Sequence, residues 1–270
     1  DMAVIRDRQT GSVHIFATDL SLAYGMRGKY AHSWRNVSRH GSRMLAHWQS
    51  DDLVHWTDED MIAVGNEDFG CLWAPDVVYD ARRCDYLLHW SSAHRENGFG
   101  DMAIYACRTG DFLHYAPPTL LYRHPLGSVI DSAMAEERGV YYLFLKSEKD
   151  PNHIILMRSE RTDGPFERVD AFDRAMDQLK DSGHYEAPAV LRLQDGRWCL
   201  FLDYFGVPGE GQGYVPFVAS SLELADFVRS DEAFSFPYGF KHGSVLPITE
   251  EEYTRMTRHD WVHVPDRRWN

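Results

Sequence analysis

A repeat of about 56 residues constrains this chain more than any other feature of its sequence. Each copy begins with one polar or aromatic residue that stands directly before a short apolar, strand-like run. Trp73, Asp131, Glu186 and His242 are such residues, and they follow one another at intervals of 58, 55 and 56 positions. Self-similarity at a fixed period of this length indicates an array of supersecondary units. The sequence therefore predicts a fold built from copies of one small sheet.

The copy that spans His184 to Phe205 shows the unit most completely. Glu186 precedes an apolar run of strand-like composition, and the run ends at Asp195 and Gly196, a pair typical of hairpin turns. A return strand follows this turn. Two more strand-like runs, separated by a short acidic turn, bring the copy to four antiparallel strands. Such a unit cannot bury both of its faces alone, which is typical of a propeller blade.

A copy at the start of the chain completes the prediction. Asp1 precedes a strand-like run 72 positions before Trp73, and the polar stretch from Tyr24 to Ser42 accounts for the longer interval as an insertion. With the copy headed by His242, the count is five. We therefore predict an all-β fold in which residues 1–270 form a single five-bladed β-propeller, with four-stranded antiparallel blades around a central axis.

The net charge of −13 argues against several classes of partner. Nucleic acids and anionic membranes bind basic patches, and this chain carries 28 basic against 41 acidic residues. No apolar run has the length of a membrane-spanning helix. We expect no nucleic-acid partner and no membrane insertion. Because Asp1 directly precedes a strand, we expect the chain to be excised from a longer one; the compartment stays open, with an extracellular or cell-surface location favoured over the cytoplasm.

The residues at the heads of the five copies are the candidate functional residues. In a propeller the first residues of the innermost strands converge on one face, so Asp1, Trp73, Asp131, Glu186 and His242 are predicted to share one funnel. Like charges at close range raise the pKa of at least one carboxyl group. One protonated and one ionised carboxyl group are the usual equipment for cleaving a glycosidic bond, and an indole offers a flat face to a sugar ring. The predicted partner is therefore a carbohydrate substrate.

Other interpretations of these residues stay open at this point. Asp131 and Glu186 are also compatible with solvated acids at strand ends, and Asp1 is compatible with a frayed terminal charge. His242 is compatible with a structural histidine. Trp73 is compatible with a packing role beneath the funnel.

A second set of side chains is expected to reach the funnel from loops or from neighbouring strands. Arg43 and Tyr214 are the candidates for substrate contacts in this set. The set also includes Lys146, Asp203 and Tyr204. Each of these residues is also compatible with a position on the protein surface that does not reach the funnel.

Four short motifs occur in an order and at a spacing that resemble glycoside hydrolase family 43, a family of five-bladed β-propellers. The motifs are WAPDVVYD, VIDSAM, YEAPAV and KHGSVLPIT, and the segments SDDLVHWT and GYVPFVASSLELADF are similar to that family as well. The resemblance covers nearly the whole chain. It implies an inverting glycosidase with three acidic residues, in which water attacks the sugar without a covalent intermediate.

The resemblance also implies a role for each acid. It places Asp1 at the general base, Asp131 at the aspartate that orients the site and modulates the pKa of the acid, and Glu186 at the general acid. His242 corresponds to the axial histidine, near which some members of the family bind calcium or sodium. No cofactor is expected beyond such an ion on the propeller axis, and the sequence contains no recognisable set of metal ligands.

Three neighbours of these residues depart from the commonest family pattern. Met2 and Ser132 stand where the family usually has proline, and Ala187 stands where it usually has glycine. These positions set the geometry of the backbone and do not react. We therefore expect activity to survive the departures.

The leading functional prediction is an exo-acting α-L-arabinofuranosidase that removes pentose side chains from plant-type polysaccharides or oligosaccharides. A β-xylosidase or β-galactosidase of the same family stays open, and so does a propeller that binds glycans without catalysis. The presence of all three acids favours the enzyme, because a pure binding module does not need them. An appended carbohydrate-binding module is expected in a longer chain.

Overall fold

The computed structural model describes residues 1–20, 22–149, 152–179, 183–207, 213–234 and 241–259. Within these ranges the chain forms sixteen β-strands, arranged in four antiparallel sheets of four strands each. In every sheet the strands are neighbours in the order in which they occur along the chain. We number the sheets blade one to blade four. The fold is an all-β propeller.

Blades one and two come from the first half of the chain. Blade one contains β1 (Met2–Arg6), β2 (Val13–Thr18), β3 (Leu45–Ser50) and β4 (Asp60–Ile62). Blade two contains β5 (Trp73–Asp80), β6 (Asp85–Ser92), β7 (Ala103–Thr109) and β8 (Thr119–Tyr122). The long connection between β2 and β3 is the insertion that the sequence predicts. It carries a π-helical segment (Leu22–Lys29) and a short helix α1 (Trp34–His40).

Blades three and four repeat this plan. Blade three contains β9 (Val129–Glu137), β10 (Val140–Ser147), β11 (Ile154–Ser159) and β12 (Glu167–Arg168). Blade four contains β13 (His184–Arg192), β14 (Trp198–Phe205), β15 (Gly213–Ala219) and β16 (Val228–Arg229). A helix α2 (Asp170–Asp177) connects the two blades. The predicted hairpin turn at Asp195 and Gly196 is confirmed, because it joins β13 to β14.

The hydrophobic core lies between successive blades. The inner strands β1, β5, β9 and β13 pack side by side in that order. The flat faces of neighbouring sheets meet around these inner strands and bury large side chains from both blades. Representative core residues are Phe16, Tyr86 and Phe112 between blades one and two, Leu87, Leu143 and Ile155 between blades two and three, and Phe144, Leu200 and Phe217 between blades three and four.

The start of each repeat after the first contains one residue in the left-handed backbone region. These residues are Ala74, Asp131, Ala187 and His242, with φ values of 46°, 49°, 52° and 46°. The register of strand pairing shifts beside the first three of them. A left-handed conformation costs a non-glycine residue about 1–2 kcal/mol. It persists where neighbouring contacts hold it in place.

The neighbouring contact is a hydrogen bond from the preceding blade. The left-handed residue donates its backbone N–H to a side chain near the end of the second strand of that blade. The three bonds run from Ala74 to Thr18 Oγ1 at 2.9 Å, from Asp131 to Ser91 Oγ at 2.9 Å, and from His242 to Asp203 Oδ1 at 3.0 Å. Each bond therefore ties the start of one repeat to the blade before it.

The junction between blades three and four uses a different acceptor. Lys146 lies in β10 and pairs in register with Ile130, but an ammonium group cannot accept a hydrogen bond. The backbone N–H of Ala187 donates instead to Asp131 Oδ2, at 3.3 Å. The carboxylate of Asp131 thus replaces the missing acceptor and ties blade three to blade four.

The predicted fifth blade is wrong in the part of the chain that the structure describes. Residues 241–249 contain no strand, and helix α3 (Glu250–Arg258) follows them. Residues 235–240 and 260–270, which also belong to the predicted blade, lie outside the described residues. That residues 1–270 form a single domain stays a prediction.

A single segment nevertheless fills the gap between blade four and blade one. The Tyr214 hydroxyl of β15 donates to the carbonyl oxygen of Gly243 at 2.8 Å and accepts from the Gly243 N–H at 2.6 Å. On the other side, Ser244 Oγ accepts the backbone N–H of Val4 at 3.2 Å. The predicted innermost strand is thus replaced by a hydrogen-bonded segment, which closes the ring of inner strands without a sheet of its own.

Helix α3 begins with a capping box. Thr249 Oγ1 accepts the backbone N–H of Glu252 at 3.2 Å, and the Glu252 carboxylate accepts the Thr249 N–H at 2.8 Å. Arg6 forms an ion pair with the same carboxylate at 2.9 Å, which docks the helix on blade one. None of the helices in the described ranges is long and apolar enough to span a membrane.

Two leucine-to-alanine substitutions test the packing between blades. Leu143 is fully buried between blades two and three, whereas Leu113 is 75% exposed. We expect L143A to lower the free energy of unfolding by about 2–5 kcal/mol, because it leaves a cavity. We expect L113A to change it by less than about 0.5 kcal/mol. Denaturant titration measures both, and equal losses would contradict the core described above.

Candidate active site

The predicted head residues lie on one face of the propeller but do not occupy equivalent positions. Asp131 and His242 are themselves the left-handed residues of their repeats. Trp73 and Glu186 stand one residue earlier, before Ala74 and Ala187. Measured between the left-handed residues, the repeat intervals are 57, 56 and 55 positions. Because the two positions differ in backbone geometry, the acids enter the funnel from different points of the strand.

Asp131 is held from both sides. Its side chain is buried, its backbone N–H donates to Ser91 Oγ, and its Oδ2 accepts the N–H of Ala187. The second of these bonds reaches the residue that directly follows Glu186. The carboxylate of Asp131 is therefore fixed beside the predicted general acid.

Glu186 is half-buried at the start of β13. Burial, followed by the negative charge of Asp131, raises the pKa of the Glu186 carboxyl group to about 7, against the opposing charge of His242. A carboxyl group that holds its proton at neutral pH can donate it to a leaving group. The environment of Glu186 thus has the electrostatics that a general acid requires.

Asp1 meets His242 at the opening between blade four and blade one. Asp1 Oδ1 lies 2.9 Å from His242 Nδ1, and both side chains are partly exposed. The His242 backbone is fixed by its bond to Asp203, so the imidazole is oriented toward Asp1. An oriented, solvent-accessible carboxylate can accept a proton from water.

Trp73 is half-buried and packs against the buried cluster of Cys71, Ala93 and Met102. A second tryptophan, Trp34 of α1, contacts it edge to face, with ring centroids 5.9 Å apart and planes at 81°. Trp34 is 58% exposed. Trp34 is not among the predicted site residues, because the insertion that carries it is interpreted from the sequence only as extra length in the first repeat. A tryptophan in an otherwise polar insertion was the available signal.

Arg43 and Tyr214 have partners within the protein. Arg43 stands just before β3, and its Nε donates to the carbonyl oxygen of Phe69 at 2.8 Å. Tyr214 is buried, and its hydroxyl bonds to the backbone of Gly243, beside His242. Tyr214 therefore supports the segment that carries the histidine. That either residue contacts substrate stays a prediction.

Asp203 is more central than the sequence analysis indicated. It is 1% exposed and pairs in strand register with Glu186. Burial, with a smaller contribution from the charge of Asp131, raises the pKa of Asp203 to about 6, although the bond from the His242 N–H opposes the shift. The available signal was a single acid in the apolar run WCLFLDYF of β14.

A cavity of about 130 Å³ lies on the axis and is lined by Ala74, Asp76, Asp131, Ser132, His242 and Ser244 among others. Its polar groups have partners in the protein: Asp76 Oδ2 accepts the N–H of Met134 at 2.8 Å, for example, and His242 Nδ1 faces Asp1. In the described ranges no three His, Cys, Asp or Glu side chains are grouped to hold a metal. These residues therefore do not form a recognisable calcium or sodium site, and the axial ion stays a prediction.

Comparisons with solved structures match this fold. A thermostable family-43 glycoside hydrolase is 16% identical, with a TM-score of 0.59 over 90% of this chain and 78% of its own. The catalytic domain of an α-L-arabinofuranosidase from Coprinopsis cinerea is 15% identical, with a TM-score of 0.58 over 85% and 66%. An endo-arabinase from Bacteroides thetaiotaomicron is 15% identical, with a TM-score of 0.56 over 86% and 79%. At these identities the likeness shows a shared fold.

Sequence comparison supplies the family. A search of curated proteins gives no match. A family model described as "Probable glycosyl hydrolase domain" matches residues 1–254, which is nearly the whole chain. This match, the propeller fold and the structural likeness agree, and the chain belongs to the glycosyl hydrolase 43-related family.

Proposed function

We propose that this chain is an inverting, exo-acting glycoside hydrolase, with α-L-arabinofuranosides as its substrates. The observation that carries the proposal is the contrast between two carboxyl groups on one face. Glu186 has a pKa near neutrality, beside Asp131, whereas Asp1 is partly exposed and oriented by His242. Glycosidases use two carboxyl groups in different environments, one as the general acid and one as the general base.

In the proposed reaction Glu186 donates its proton to the glycosidic oxygen while Asp1 accepts a proton from an attacking water. The bond between the anomeric carbon and the leaving oxygen breaks as the bond to the water oxygen forms on the opposite face. The product sugar is released with inverted configuration, and proton exchange with solvent restores both carboxyl groups. Such a mechanism places the two groups about 6.5–9.5 Å apart, which leaves room for the water.

Asp131 supports this reaction by position and charge. Its bond to the Ala187 N–H fixes it next to Glu186, and its negative charge favours the protonated form of that acid. Trp73 and Trp34 form an aromatic pair that is suited to the apolar face of a sugar ring. The choice of arabinose is supported by the Coprinopsis and Bacteroides proteins described above, which are named as an α-L-arabinofuranosidase and an endo-arabinase.

The role of Glu186 is tested with E186Q. We expect kcat to fall by about 10²–10⁴-fold on substrates with poor leaving groups, because the amide cannot donate the proton. The loss should be much smaller on dinitrophenyl glycosides, whose leaving group needs no proton. The measurement is a panel of aryl arabinofuranosides, xylosides and galactosides, which also identifies the sugar.

The matched control is E96Q, since Glu96 is an exposed residue of a surface turn. Equal losses in E186Q and E96Q, or the same loss for good and poor leaving groups, would contradict the assignment of Glu186. A wild-type protein that binds glycans but cleaves none of the panel would support a binding module instead.

The pH dependence follows from the state of Glu186. The acid must be protonated, and its pKa is raised to about 7. We therefore expect kcat/KM to be lost as pH rises through about 7, and to fall tenfold for each further pH unit. Initial rates between pH 5 and pH 9 measure this loss of kcat/KM at high pH, which is the basic limb of the profile. A profile that stays flat up to pH 9 would rule out Glu186 as the acid.

The stereochemistry tests the single-step mechanism. Attack by water on the face opposite the leaving group inverts the anomeric centre. Proton NMR of the first sugar released, recorded before mutarotation, should show the anomer opposite to that of the substrate. Retention of configuration would eliminate Asp1 as a base acting on water.

A further inference from the structure

Asp203 lies at the centre of the candidate active site, yet the proposed reaction gives it no task. It belongs to β14, the second strand of blade four, and it pairs in register with Glu186 on β13. Residues that pair across antiparallel strands project their side chains to the same face. The carboxyl group of Asp203 is therefore a direct neighbour of the predicted general acid.

One oxygen of Asp203 has a structural partner. Oδ1 accepts the backbone N–H of His242 at 3.0 Å, and His242 in turn contacts Asp1. The hydroxyl groups of Thr18 and Ser91 form the corresponding bonds in blades one and two. A hydroxyl group is thus sufficient for this bond, and the structural role does not explain why blade four carries a carboxyl group.

The other oxygen of Asp203 has no such partner. Oδ2 is inaccessible to solvent, and no residue in the described ranges donates a hydrogen bond to it. Burying a charge without a compensating partner is unfavourable, and it costs more than burying a serine hydroxyl. The carboxyl group therefore weakens the fold locally, and its benefit must lie in its effect on its neighbours.

Several charged groups surround Glu186 from the elements packed around it. Asp131 of β9 and Asp203 of β14 favour its protonated form, whereas His242 and Lys241 favour its ionised form. Tyr214 of β15 faces the same cluster and is neutral, because burial raises the pKa of its hydroxyl group. Removing Asp203 would leave Glu186 with one acidic neighbour and two basic ones.

We propose that Asp203 is a positioning residue with two effects: its charge keeps the proton on Glu186, and its bond to His242 orients the imidazole that contacts Asp1. It thereby couples the acid and the base of the reaction. The inference rests on the proposed function, since it assigns the acid role to Glu186.

The decisive variant is D203S, which copies the arrangement of Ser91. The hydroxyl keeps an acceptor for the His242 N–H and removes the negative charge. We expect the basic limb of the kcat/KM profile to move to lower pH by about one unit, because a like charge is removed from the neighbourhood of Glu186. The low-pH plateau should stay within a few-fold of the wild type. D203A also removes the acceptor and should lower this plateau further.

The matched control is D58S, since Asp58 is an exposed acid outside the site. Its pH profile should coincide with that of the wild type. If D203S does not fold, as judged by circular dichroism, D203N provides the same test, because its amide oxygen can accept the same bond without a charge. An unshifted basic limb in the folded variant would overturn the proposal.

A second measurement does not depend on turnover. The titration of Glu186 is followed by carbon NMR of labelled glutamate carboxyl groups, with E186Q used to assign the signal. We expect the Glu186 midpoint to fall by about one pH unit in D203S. If the wild type cleaves no glycoside, the proposed function fails, but this titration still decides whether Asp203 controls Glu186. Identical midpoints would refute that control.

Discussion

The hydrogen bond that joins the start of each repeat after the first to the preceding blade is the constraint on which the structure depends. It holds a left-handed residue at the start of the repeat, and the candidate acids Asp131 and Glu186 stand at or directly before such residues. Thr18, Ser91 and Asp203 supply the acceptors in three of these junctions. At the junction between blades three and four, Lys146 cannot accept this bond, and the carboxylate of Asp131 accepts it instead. The candidate active site is thus built from the same contacts that hold the blades together.

The electrostatics of the site follow from this arrangement. Glu186 and Asp203 are buried near Asp131, and their pKa values rise because burial disfavours the ionised form, with a smaller contribution from the negative charge of Asp131. His242 partly offsets the negative charge and links the cluster to the carboxylate at the first position. Acid and base chemistry can then arise from residues of the same type, because their solvation and neighbours differ.

Several elements could be predicted from the sequence because local rules determine them. Hairpin turns, strand runs and the capping box at Thr249 depend on residues close together in the chain, and the structure contains them where the patterns indicate. The number of blades could not be predicted in the same way. A head residue such as His242 marks the start of a unit, but in the described residues after it a strand-free segment and the helix Glu250–Arg258 stand where the pattern predicts a sheet.

The sequence by itself determined the propeller class, the antiparallel units and the identity of the candidate acids, because a fixed period and an alternating apolar pattern specify them. Only the tertiary structure decided that Glu186 precedes a left-handed residue whereas Asp131 is one, and that a tryptophan of the insertion reaches Trp73. It alone showed that Asp203, one of several side chains expected near the funnel, pairs in register with Glu186 and accepts the His242 N–H. The physical reason is that burial, charge coupling and cross-strand register arise between residues distant in sequence, which a linear pattern does not encode.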